Sequence, residues 1–81
     1  MPYLEESTKE ALDNGVMLMS EPGHLTYKLY KLCLQYLDIR GKRFFVYCEI
    51  VGAIVCTLLE FYRRKVGPYE NTKISENGDV E

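Results

Sequence analysis

The chain has no tryptophan, one histidine and three prolines among its 81 residues. A single imidazole, His24, supports neither a zinc-ligand set nor a catalytic triad, because both need partner His, Cys or Asp groups in matched spacing. The three cysteines, Cys33, Cys48 and Cys56, are odd in number and show no CxxC pair. They argue against a disulfide framework and read as free, buried thiols of a reducing compartment. There is no GxxxxGK[ST] and no GxGxxG, so no recognisable phosphate-binding loop of a nucleotide hydrolase is present. A strong excess of one charge is also missing: the formal net charge of −2 lacks the basic footprint of a dedicated nucleic-acid binder. The opening MPYLEESTKE has neither a basic n-region nor an apolar h-region, so a cytoplasmic address is expected. No cofactor and no metal are expected.

What remains is a small globular composition, 47% hydrophobic and 27% charged, with seven tyrosines. A chain this short buries only about 60–65% of its unfolded surface, and a large enzyme is excluded. Charge is segregated along it. Glu5, Glu6, Glu10, Asp13 and Glu21 stand against Lys9 in the first 22 residues, whereas Arg40, Lys42, Arg43, Arg63, Arg64 and Lys65 stand against Glu49 and Glu60 in residues 39–66. Opposite ends can therefore attract within one subunit or between neighbours.

Hydrophobic periodicity predicts an all-α fold: two to three helices with one long central helix over residues 1–66, and a polar tail over 67–81. Ser7-Thr8-Lys9-Glu10 reads as a capping box that starts a first helix running to about Asn14. Val16, Leu18 and Met19 form a last turn or a packed connector. Leu25, Leu29, Leu32, Cys33, Tyr36 and Leu37 fall on one stripe of a second helix, bounded by Pro22 and Gly41, with Lys28, Lys31 and Gln35 on the other side. The third runs from Lys42 to about Val66, where Gly67-Pro68 is expected to stop it. The tail carries an Asn77-Gly78 turn signal and the spaced apolar residues Tyr69, Ile74 and Val80, and is disordered, folded back or crossing to a neighbour.

The third helix is apolar nearly all round. Its run of about nineteen apolar residues meets the length rule for a membrane span. Against a span stand Glu49, which would cost a few kcal/mol inside hydrocarbon, and basic residues on both flanks, which give no orientation. Burial against other subunits is the alternative, so a homo-oligomer is expected and a membrane is not.

Glu49 and Glu60 are eleven positions apart and share a face with Gly52, Ala53, Cys56 and Arg63 or Arg64. About 16 Å separates them, too far for a paired-carboxylate hydrolase within one chain, so they read as an interface or polar track that includes Cys56. Arg63 and Arg64 offer planar donor forks suited to phosphate or carboxylate, beside Tyr62, Tyr69, Glu70 and Lys73. Cations capping the helix C-terminus are the plainer explanation. Tyr27, Tyr30 and Tyr36 read as packing residues or a stacking platform.

The run Glu60-Phe61-Tyr62-Arg63-Arg64-x-Val66-x-Pro68-Tyr69-Glu70-x-x-Lys73-Ile74-x-Glu76-Asn77-Gly78-Asp79-Val80 resembles a signature of small phage- and prophage-encoded proteins of uncharacterised function. Gly23-x-Leu25-x-Tyr27, Leu32-Cys33-x-x-Tyr36-Leu37 and Glu49-Ile50-Val51-Gly52 fit the same pattern. The resemblance implies a viral or prophage gene acting in a bacterial cytoplasm, with a third helix that does not span a membrane. By analogy of size and context, the expected function is non-enzymatic binding by a homo-oligomer. The candidate ligand is a nucleotide-like anionic host defence signal, such as a cyclic nucleotide or cyclic ADP-ribose, held by Arg63, Arg64, Tyr62, Tyr69, Glu70 and Lys73. The alternative is docking on a host protein.

Overall fold

The computed structural model describes residues 4–78. Among them there is no strand. The order is α1 (Glu6–Asp13), α2 (Pro22–Arg40), α3 (Phe44–Phe61), a five-residue π turn (Tyr62–Val66) and α4 (Gly67–Asn77). The expected all-α class holds. Asp79 and Val80, the last two residues of the tail signature, lie outside the described residues.

The chain forms two compact units, one ending at Val46 and the other beginning at Tyr47. In the first, Leu12, His24, Tyr27 and Val46 are the buried residues. α1 starts one residue before the expected capping box: Glu5 is the N-cap, in extended conformation, and makes no side-chain cap bond. Ser7 is therefore already inside the first turn, where its hydroxyl cannot take the N-cap role. Lys9 instead bonds back to Glu6 at 3.4 Å. Gly15 and Gly41 follow α1 and α2 with φ of 72° and 102°, values that favour glycine.

The face of α2 that meets α1 is not the expected leucine stripe. His24 and Tyr27 are buried, Lys28 and Lys31 reach α1, and Leu25, Leu29, Leu32 and Tyr36 are exposed. Polar bonds decide this. Tyr27 donates its hydroxyl to Asp13 Oδ2 at 2.9 Å, and Lys28 donates to the Leu12 carbonyl at 2.9 Å. A cation on the last carbonyls of α1 satisfies acceptors that the helix leaves open and opposes its dipole. The Ser20 N–H donates to His24 Nδ1 at 3.2 Å, which assigns the proton to Nε2, 3.6 Å from a Glu21 carboxylate oxygen. His24 is thus a satisfied core histidine at the start of α2. Val16, Leu18 and Met19, which a packed connector would bury, are exposed.

α3 is predominantly solvent-exposed: Phe44 is 83% exposed, Leu58 and Leu59 62% each. An 18-residue window of the continuous helix from Phe44 to Asn77 has a mean hydropathy of 1.9 and is only 6% buried, long and apolar enough to cross a bilayer. Gly67-Pro68 does not end this helix. Gly67 is right-handed, with φ −56°, and its N–H bonds to the Tyr62 carbonyl five residues back. In an α-helix the Pro68 ring would collide with the carbonyl four residues earlier. The wider π turn opens the backbone just before the proline, and α4 continues to Asn77. The expected tail is helical over these residues, with Gly78 as its C-cap at φ 83° and its N–H on the Ile74 carbonyl at 2.8 Å. The cysteines are free, but Cys33 is half-buried and Cys48 and Cys56 are exposed, because their helix faces carry no cover in this chain.

Candidate functional site

The candidate anion site grows out of the last turn of α3. Glu60 Oε1 accepts from Arg63 Nη2 at 2.7 Å and also from Arg64 Nε. Residues three and four apart lie on one helix face, so these contacts require only the helical register. Two guanidinium groups on a single carboxylate oxygen form the charge-assisted geometry in which arginine binds oxyanions. Lys65, next in sequence, adds a third cation to the segment. A shallow open groove here is lined by Cys56, Thr57, Glu60, Phe61, Arg64 and Lys65. Thr57 and Phe61 were not among the residues expected from sequence. Thr57 sits one turn from Phe61 and Glu60, a spacing that marks them as neighbours.

The π turn carries Tyr62, Arg63, Arg64 and Lys65. Tyr62 donates its hydroxyl to Glu70 Oε1 in the first turn of α4. That bond, followed by the negative charge of Glu70 and by burial, raises the Tyr62 pKa above its ordinary value. Tyr69 and Glu70 lie on α4, and among the described residues neither arginine bonds to them. Lys73 approaches the Tyr69 ring at 5.6 Å from its centroid and Glu76 at 3.3 Å. The six expected ligand residues thus form three local sets: the Glu60 fork, the Tyr62–Glu70 pair and the Tyr69–Lys73–Glu76 group. Glu49 is half-buried in the second turn of α3, and Cys56 lines the groove. Among the described residues no cluster of three or more His, Cys, Asp or Glu side chains could hold a metal ion.

A family model for a domain of unknown function, DUF6899, matches residues 1–80. The chain belongs to the DUF6899 family. The match takes in both units, so the arginine fork and the buried His24 and Tyr27 belong to one family domain. No curated protein and no solved structure matches this DUF6899 chain.

Proposed function

We propose that this DUF6899 chain is a non-enzymatic, phage-type homo-oligomer of the bacterial cytoplasm that binds a nucleotide-like anion, sequestering a host defence signal. The observation that carries the reading is the fork: Arg63 and Arg64 both donate to one oxygen of Glu60, and Lys65 adds a third cation. The segment keeps positive charge beyond what Glu60 neutralises, and each guanidinium has further N–H donors to offer a phosphate. The Tyr69 ring is a candidate stacking surface for a base. The oligomeric part rests on the exposed apolar surface of α3, which a soluble protein covers with another subunit.

The test is isothermal titration calorimetry against a panel of cyclic nucleotides and cyclic ADP-ribose. Arg63→Ala/Arg64→Ala is expected to abolish binding while the helical circular dichroism spectrum stays unchanged. Undiminished affinity in the double variant would sink the site assignment. A second reading, docking on a host protein, is favoured by the exposed Leu25, Leu29, Leu32 and Tyr36 ridge on α2. It expects a host polypeptide that co-purifies with the wild type and is lost with Leu29→Lys.

A further inference from the structure

Along α3 and into the π turn, Phe45, Glu49, Gly52, Cys56, Leu59 and Arg63 recur at alternating intervals of four and three residues. That is the spacing of a helix-pairing seam. It has small side chains at its middle, Gly52 and Cys56, and opposite charges toward its ends, Glu49 and Arg63. We propose that two copies of the chain pair through α3 in antiparallel orientation, centred near Cys56, so that Glu49 of the partner subunit faces Arg63 and Arg64. The proposal rests on the oligomeric part of the function just described, and makes the anion site a composite of two chains.

Charge complementarity fixes the direction. Glu49 and Arg63 lie seven residues to either side of Cys56, so antiparallel copies set each carboxylate beside a guanidinium at both ends of the seam. Parallel copies would stack Glu49 on Glu49 and Arg63 on Arg63, which repel. Area fixes the plausibility of a stable pair. Phe45, Val51, Val55, Leu58 and Leu59 are all about half or more exposed along α3, apolar surface available to a facing helix, where a standard interface takes about 800 Å² per partner. A bilayer would cover the same residues, but it would immerse Glu49 in hydrocarbon and offer nothing to match the alternation of charge.

The pairing is read by thiol cross-linking of the full chain, purified without detergent and free of added ligand. In the antiparallel pair the two Cys56 residues meet, while the two Cys48 residues are about 24 Å apart along the axis. Cys33→Ser/Cys48→Ser, which keeps Cys56, is expected to give a covalent dimer with bismaleimidoethane. Cys33→Ser/Cys56→Ser, which keeps Cys48, is expected to give at least tenfold less. Equal yields from the two variants would mean parallel helices and overturn the proposal. So would no dimer through Cys56, a monomer in sedimentation, or protein recoverable only in detergent. Glu49→Arg should lose the dimer, and Glu49→Arg/Arg63→Glu should restore it; a double variant that stays monomeric overturns the Glu49–Arg63 contact. None of these readouts involves an anion, so a failed pairing and a failed anion site are told apart.

Discussion

Glu60 occupies the position that an incoming anion would take, because its carboxylate already receives both arginines. Removing its charge frees the fork. Glu60→Gln is therefore expected to raise affinity for an anionic ligand by about two- to fivefold, the range of an exposed charge pair, in the same calorimetric titration. At the other end of the chain, Tyr27 is 6% exposed and bonds to Asp13. Burial first, then that bond and the negative charge nearby, raise its pKa above the ordinary value near 10. A phenol whose folded pKa is raised holds its proton more tightly when folded, so its stabilising effect is complete below about pH 10 and is lost as pH rises through the folded pKa. Melting curves are expected to show wild-type stability falling above pH 10, with a shallower fall in Tyr27→Phe. The residue types at both places were legible in the sequence. So was the face that Glu60 shares with Arg63 or Arg64; the Tyr27–Asp13 bond was not, nor was the Tyr62–Glu70 bond that sets Glu70 apart from the arginines.

The helix boundaries of α2 follow from Pro22 and Gly41, whose backbone preferences are local. The end of α3 did not, because Gly67-Pro68 is a stop signal only where the backbone keeps four-residue closure. Five-residue closure in the π turn admits the proline, and periodicity alone cannot show it. The inward face of α2 was also misread: the helix is apolar on more than one side, and hydrogen bonds from Tyr27 and Lys28 to the end of α1 select which side is covered. Each five-residue closure encloses one residue more than an α turn, so the π turn stores a surplus residue between α3 and α4. Pro68→Ala removes the reason for it and is expected to return the segment to α geometry. Tyr62 would then turn away from Glu70, and its raised pKa would fall back toward the ordinary phenol value. Ultraviolet titration of tyrosinate reads that change, and an unaltered Tyr62 would show that the π turn does not depend on the proline.

At the scale of the molecule, the buried core among the described residues, Leu12, His24, Tyr27 and Val46, is small. Leu12→Ala removes a fully buried side chain at a typical cost of about 2–5 kcal/mol, a large share of the roughly 5 kcal/mol at the lower end of small-domain stability. Circular dichroism is expected to find the variant largely unfolded at 37 °C. If α3 is covered by a second copy, stability is a property of the pair, and the melting temperature should rise with protein concentration. A concentration-independent melt would place the cover of α3 elsewhere. The absence of tryptophan then becomes an experimental advantage. Tyr27 and Tyr62 each bond to a carboxylate, one in each compact unit, and both titrate above the ordinary phenol range. No indole absorbance overlaps the tyrosinate band, so difference titrations with Tyr27→Phe and Tyr62→Phe assign one signal to each unit among the seven tyrosines.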